Sequence, residues 1–418
     1  MKLSEVESFL ENFVFQEVCQ GKEMLALPSV TRIEKNIIEG NEVFYYINEY
    51  WTSKQRQASS LQEISYRACF KPQLPRFFIE MFTEKNDLVY DPFMGRGTTV
   101  IEAVLMGRNA LGNDINPLSK ILTEPRINLP RGEEVLERLL EIEFYPGLRA
   151  EIDLSMFYHT DTEAELVSLR QYLEERKRQE REDKVDRWIR MVATNRLTGH
   201  SPGFFSIYTL PPNQAASRER QKKINTKRNQ FPQYKDVKKI ILKKSRSLLK
   251  DITPDICKSV NKRGEGALLF SEEAGFTRSI QEGSVQLTVT SPPFLDIVQY
   301  SEDNWLRCWF NALKIELIEK KITMAKTVDR WSEVMQKVFY ELYRITRRGG
   351  WVAFEVGEIR KGKVKLEEYV VPIGIKAGFT CAGVLVNEQD FTKTANIWGI
   401  NNNSKGTNTN RVVLFHKE

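Results

Sequence analysis

The chain has 418 residues, of which 28% are charged and 41% hydrophobic, with a net charge of +6; that length holds one large core and a second lobe. Five cysteines without a Cys-x-x-Cys pair and three scattered histidines give no zinc-ligand spacing, so reduced thiols and no bound metal are expected. No apolar run approaches bilayer length, and acids interrupt Met1-Lys2-Leu3-Ser4-Glu5-Val6-Glu7 too early for a signal peptide, which points to a cytoplasmic protein.

Residues 1–60 read as a helical, irregular extension, opened by a capping box of Ser4 and Glu7. A helix is expected over 74–85, where Leu74, Phe77, Phe78, Met81 and Phe82 fall at helical spacing. Leu88 to Tyr90 then reads as a buried strand, followed by a glycine turn and a helix from Thr98 to about Met106. Asn109 to Gly112 is a second strand, ending at Asp114, and Pro117 opens the next helix.

Strand-helix alternation stops there. Residues 124–263 are charged and helix-prone and read as an inserted lobe. Within it, Ser217 to Arg246 carries twelve Lys or Arg against two acids, which leaves the remaining chain slightly acidic. Alternation resumes with strands at Ala267 to Phe270, Val285 to Thr290, Trp351 to Val356, Phe379 to Val386 and Arg411 to Phe415. The catalytic body is therefore expected in 61–123 and 264–418. Asn401 to Asn408 is of low complexity.

Asp91-Pro-Phe-Met-Gly-Arg-Gly-Thr-Thr99 carries the first chemical signal. A strand, a glycine turn and a helix make a polar-ligand site, because first-turn N–H groups have no partners inside the helix. Asp91, Phe93, Gly95, Gly97 and Thr98 are the candidates on this turn. The dinucleotide fingerprint would need a third glycine where Val100 stands, and no Gly-Lys-Ser/Thr follows, so a ligand without a pyrophosphate is favoured. Asp114-Ile115-Asn116 supplies a carboxylate at the next strand end, suited to ribose hydroxyls. The bland alternative is a tight turn and nothing more.

Thr290-Ser-Pro-Pro-Phe294 carries the second. It follows a strand, where open α/β folds bind ligands. Two prolines fix φ and remove two donors, leaving rigid carbonyl acceptors. An amine about to be alkylated needs acceptors for its hydrogens, and the Ser291 hydroxyl and Pro292 carbonyl are the candidates; Pro293 stiffens the loop. Phe294 would stack on an extruded base. Carbon methylation of cytosine would need an attacking thiolate, and no Pro-Cys sequence exists.

In the insertion, Arg187, Arg190, Asn195, Arg196, His200 and Asn213 stand among aromatic residues and are candidates for reading base edges. Lys222 and Lys223 of the basic stretch would neutralise phosphates. The competing reading is a solvated helical hairpin.

These residues resemble the amino-methyltransferases of DNA found in bacterial restriction-modification systems. Thr-Ser-Pro-Pro-Phe is closer to the cytosine-N4 group than to the adenine-N6 group. The resemblance implies a Rossmann-like, S-adenosylmethionine-dependent methyltransferase fold: a seven-stranded, mostly parallel α/β sheet with one reversed terminal strand and a helical, target-recognising insertion. It implies S-adenosyl-L-methionine as cofactor, double-stranded DNA as substrate, base flipping, a cognate restriction endonuclease as partner, and a place at the nucleoid of a prokaryote or phage host. It further assigns Phe70, Lys71 and Pro72 to the segment over the methionine part of the cofactor, and Ser271 to the edge of the adenine ring. In the family the recognition region usually follows the adenine-flanking strand; here it precedes it. Adenine-N6 methylation uses the same acceptors and is the alternative within enzymes, and a non-catalytic DNA-binding subunit retaining the fold is the alternative outside them.

Overall fold

The computed structural model describes residues 1–15, 18–19, 22–23, 30–51, 58–67, 69–212, 214–293, 300–319, 325, 327–359, 364–388 and 410–418. Among these, the largest sheet has nine strands: β1 (Arg32–Ile38), β2 (Asn41–Asn48), β3 (Leu88–Asp91), β4 (Asn109–Asn113), β5 (Leu268–Phe270), β6 (Val285–Thr290), β7 (Thr346–Val356), β8 (Thr380–Asn387) and β9 (Asn410–His416). Their order across the sheet is β1-β2-β8-β9-β7-β6-β3-β4-β5. Strands β3 to β7 are mutually parallel, and β9 runs against both of its neighbours.

The strands expected from the sequence are all present, each within a few residues of its expected bounds. The reversed strand is also present, but it lies inside the sheet, between β7 and β8. The count of seven and the helical reading of residues 1–60 are corrected. Strands β1 and β2 form a hairpin whose turn residues Glu39 and Gly40 both have positive φ, 47° and 80°. Strand β2 then joins β8 in parallel. The hairpin is held at its far end too: the Asn387 side-chain oxygen accepts from the backbone of Tyr50 and Trp51 at 2.7 and 3.2 Å. The expected Ser4–Glu7 cap is also replaced. Helix α1 (Leu3–Glu11) starts two positions earlier, with Lys2 at the N-cap and Glu5 accepting from the Lys2 N–H at 2.8 Å.

Side-chain alternation along the strands divides the core in two. On β7, Trp351 and Ala353 face one layer while Val352, Phe354 and Val356 face the other. The first layer holds α2 (Gln73–Phe82), α3 (Thr98–Leu105) and α4 (Pro117–Thr123). The second is closed by the later helices α13 (Val328–Ile345) and α14 (Glu367–Ala377).

The insertion supplies α5 (Gly132–Glu141), α6 (Thr160–Arg178), α7 (Lys184–Arg196), α8 (Arg218–Arg228), α9 (Val237–Leu249) and α10 (Pro254–Gly264). It does not form a lobe with a core of its own. Leu139, Leu169, Trp188, Met191 and Ile241 belong to the same apolar cluster as Val89, Ile101 and Leu287 of the sheet layer. Arg126, fully buried, stitches the junction by donating to the carbonyls of Leu61 and Leu122 at 3.0 and 2.8 Å, and to that of Arg96. Helices α11 (Tyr300–Phe310) and α12 (Ile315–Glu319) follow β6. No helix among the described residues is long and apolar enough to cross a membrane.

Gly264 marks the seam, since a Cβ there would overlap the Ile127 carbonyl. Gly264→Ala is expected to destabilise the whole chain by about 1–3 kcal/mol, as overpacking typically does. Urea unfolding followed by Trp fluorescence should show one transition moving as a unit, because sheet and insertion share a core.

Candidate functional site

The chain leaves β3 toward β4 and β5 on one side, and leaves β6 toward β7 on the other, while β3 and β6 are paired neighbours. This is a topological switch point, where the carboxyl ends of strands open a crevice. The glycine turn follows β3 and the Pro-Pro loop follows β6. Residues almost two hundred positions apart are thus side by side. The Thr290 hydroxyl donates to Asp91 Oδ1 at 2.6 Å, and the Thr99 hydroxyl donates to the Val289 carbonyl at 3.1 Å.

Asp91 is buried at the base of the turn and its Oδ1 also accepts from the Phe93 N–H at 3.1 Å. Burial pushes its carboxyl up to about 7, against the pull of the Thr290, Phe93 and Thr99 donors. Gly95 and Gly97 have φ of 52° and 78°, conformations that let the turn close without steric cost. The Gly95 N–H donates to Asp114 Oδ2 at 2.9 Å, and the Asn116 N–H donates to Asp114 Oδ1 at 2.9 Å. Asp114 is therefore fixed at the tip of β4, each oxygen keeping a lone pair for a further donor. Burial raises its carboxyl above the usual range.

The other cofactor candidates divide. Asn116 caps α4, its side-chain oxygen accepting from Leu118 at 3.1 Å, so its role here is to start a helix. Thr98 is buried against Arg96, whose Nε donates to its hydroxyl at 3.2 Å. Ile115 and Phe93, which follow the tips of β4 and β3, are half-buried. Phe70 and Lys71 are half-buried and Pro72 is buried; burial, then the charge of Arg96, lowers the Lys71 pKa. Ser271 is exposed beyond β5, in a loop tied to β4 by paired bonds between Asn113 and the backbone of Glu272, at 3.0 and 2.9 Å.

In the Pro-Pro loop, Phe294 lies outside the described residues. The Pro293 carbonyl accepts from the Trp331 indole N–H at 3.1 Å, which occupies one of its lone pairs and fixes its direction. Ser291 faces Glu355, a buried carboxylate near the end of β7 that also accepts from Asn410 at 3.0 Å. Burial raises the Glu355 carboxyl, and the Ser291 and Asn410 hydrogen bonds oppose it. Sequence reading missed Glu355. Its signal was an acid inside the apolar run Trp351 to Val356.

Several of the base-reading candidates in the insertion are corrected. Arg190 is buried between Glu182 and Glu174, at 2.7 and 2.8 Å, and is a core ion pair. Asn195 is buried with its amide donating to the Ser65 carbonyl at 2.9 Å. Arg187 pairs with Glu124 at 3.3 Å and donates to the Glu182 carbonyl at 3.3 Å. His200, Lys222 and Lys223 are exposed, with Lys222 facing Asp153 at 3.8 Å. Arg196 is half-buried. Asn213 lies outside the described residues. No cluster of three metal-ligating side chains occurs among the described residues.

With this geometry in view, comparison with known proteins adds a match over part of the chain. Residues 26–122 match the family model described as DNA methylase. The stretch holds β1 to β4, the glycine turn and Asp114. Among characterised relatives, the chain is 37% identical over 62 residues to the Type II methyltransferase M.MjaII of Methanocaldococcus jannaschii, covering 15% of this chain and 12% of that protein. It is 26% identical over 133 residues to the Type II methyltransferase M.MvaI of Kocuria varians, covering 31% and 27%. The chain thus spans well under a third of the length of these relatives. Among solved structures, a putative DNA modification methylase of Thermus thermophilus, complexed with S-adenosyl-L-methionine, is 19% identical with a TM-score of 0.22, covering 33% of this chain and 50% of that one.

Asp91 yields a pH prediction. The folded state holds its proton between the ordinary value of 3.8 and about 7. More protons are bound folded than unfolded in that window, so this group makes stability fall as pH rises through it. Asp91→Asn keeps an oxygen for Thr290 and Phe93 and removes the titration. Denaturant midpoints measured across that window should fall less steeply for the variant than for the natural chain.

Proposed function

We propose that the chain is a site-specific DNA methyltransferase that moves a methyl group from S-adenosylmethionine to the N4 amino group of cytosine in double-stranded DNA. The observation that supports this most is the juxtaposition at the switch point: a glycine turn with a fixed carboxylate on one strand tip, and a rigid acceptor loop on the next, joined through Asp91 and Thr290. The match of residues 26–122 to a DNA methylase family supports the same reading.

The residues present suit the cofactor. Asp114 offers its remaining lone pairs to ribose hydroxyls, and the positive φ of Gly95 lets the backbone approach closely. Bound there, the cofactor supplies a sulfonium methyl group already activated for transfer. The protein's task is then placement. Ser291 and the Pro292 carbonyl accept the two amine hydrogens, turning the nitrogen lone pair toward the methyl carbon. The new C–N bond forms as the S–C bond breaks, sulfur keeping the electron pair, and the nitrogen loses its extra proton afterwards. With the Ser291 hydrogen directed at Glu355, only oxygen lone pairs face the amine. A base paired in duplex cannot reach this recess, so the target is extruded first.

Incubating the protein with unmethylated duplex DNA and methyl-labelled cofactor, then separating the nucleosides, tests the reading. Label is expected in N4-methyldeoxycytidine. Label in N6-methyldeoxyadenosine would move the target to adenine, and cofactor binding without any labelled nucleoside would overturn the enzymatic reading. Ser291→Ala should slow transfer by on the order of a hundredfold or more, comparable to losing one preorganised hydrogen-bonding group at a reacting centre. Cofactor affinity should be unchanged, as measured by calorimetry.

A further inference from the structure

A cavity of about 860 Å³ lies where the insertion meets α11. That volume falls among pockets that enclose a small ligand, roughly 300–1,000 Å³. Gln214 and Arg218 line it from the insertion, Glu302 and Trp305 from α11, and Arg67 from the segment that precedes α2. The walls are fastened to one another. The Ala215 N–H donates to the Asp303 carbonyl at 2.9 Å, the Trp305 indole N–H to the Ala216 carbonyl at 3.1 Å, and Arg307 to the Pro212 carbonyl at 2.8 Å. An ion pair between Arg67 and Asp303, at 2.6 Å, ties the third wall to α11.

Polar side chains on this lining are unspent. Gln214 and Arg218 make no side-chain hydrogen bond or ion pair with another described residue. Arginines elsewhere in the insertion are held by carboxylates: Arg138 and Arg176 by Asp183 and Asp186, Arg190 by Glu174 and Glu182. The charges of the lining are also mixed, with Arg67, Arg218 and Arg220 standing among Glu219, Glu302 and Asp303. Carboxylates repel a phosphate, so this lining does not suit an anion. It suits a flat neutral ligand that carries donors and acceptors along its edge. Trp305, its N–H spent on Ala216, offers apolar ring surface to such a ligand.

We propose that this cavity reads DNA bases next to the methylation target, with Gln214, Arg218 and Glu302 as the discriminating groups. An amide matches the edge of adenine, a guanidinium that of guanine, and a carboxylate accepts from the amino group of cytosine. Place in the fold supports the assignment, which rests on the DNA-methylation reading. Arg67 follows Tyr66, whose hydroxyl accepts from Asn116 Nδ2 at 3.3 Å and whose ring a Cβ added to Gly95 would meet at 3.6 Å. The cavity is therefore a close neighbour of the glycine turn, and α11 continues the chain from the Pro-Pro loop. Readout is shared in this arrangement: the insertion supplies Gln214 and Arg218, and the catalytic body supplies Glu302.

The test incubates unmethylated genomic DNA with the full chain and S-adenosylmethionine, then maps modified positions by sequencing that detects amino-methylated bases. The natural chain should modify one sequence context. Gln214→Ala, Arg218→Gln and Glu302→Gln should each relax that context at a position flanking the modified base, lowering discrimination there by roughly tenfold or more, the usual loss with one bidentate base contact. Their melting temperatures should match that of the natural chain. Lys223→Gln, exposed on α8 and outside the cavity lining, should slow transfer equally at every site. Retention of the natural context by all three cavity variants would overturn the proposal. So would a loss that is uniform across contexts with a shallower dependence on salt, which would assign the cavity to phosphates. Failure of the natural chain to modify DNA at all would instead strike the DNA-methylation reading itself, and this site with it.

Discussion

The hydrogen bond from Thr290 to Asp91 is the constraint on which the rest depends. A buried carboxylate is costly unless it is satisfied, and here the donor comes from the neighbouring strand. Satisfying Asp91 therefore requires β3 and β6 to be in register at their carboxyl ends. The same register brings Thr99 under the Val289 carbonyl, so the first turn of α3 is tied to β6 as well. A slip along either strand would take the Thr290 donor from a carboxylate in the core and would separate the two motifs. Fold stability and site assembly are one requirement at this point.

Buried arginines extend that logic to the insertion. Arg96 leaves the glycine turn to donate to the Ile64 carbonyl at 2.6 Å and to that of Gln62 at 3.3 Å. Arg126 reaches Leu61, and Arg307 reaches Ser65. Three guanidiniums thus converge on the carbonyls of one short connecting segment, 61–65. Guanidinium suits this task because its planar fork serves several carbonyls at once. The segment consequently positions Tyr66 on Gly95, and through it couples the insertion to the cofactor turn. The insertion is therefore part of the site's scaffold.

Much of this was legible in residues. Strands β3, β4 and β6 to β9 showed themselves as apolar runs bounded by turn-formers, and the pairing of the two motifs followed from both sitting after strands. The β1–β2 hairpin was not legible from hydrophobicity, because Arg32, Glu34, Lys35 and Asn36 crowd an exposed edge strand. Its signal was the turn at Glu39 and Gly40. Residue type also misled in the insertion. Arg190 and Asn195 have the chemistry of base readers, yet Glu174, Glu182 and Ser65 claim them, and no local pattern announces partners so far along the chain. Arg196 differs from Arg190 by the absence of such a carboxylate among the described residues, a fact visible only in three dimensions.

The Pro-Pro loop shows how a fold can turn a generic rigid turn into a directional acceptor. Prolines alone leave two carbonyls and a serine hydroxyl, and the hydroxyl could donate or accept. Trp331 fixes the Pro293 carbonyl by donating to it. Glu355, fixed by Asn410, takes the Ser291 hydrogen. A hydroxyl whose hydrogen is taken by a carboxylate turns its oxygen lone pairs the other way, so the polarity of this loop is set by residues outside the motif, on β7, β9 and α13.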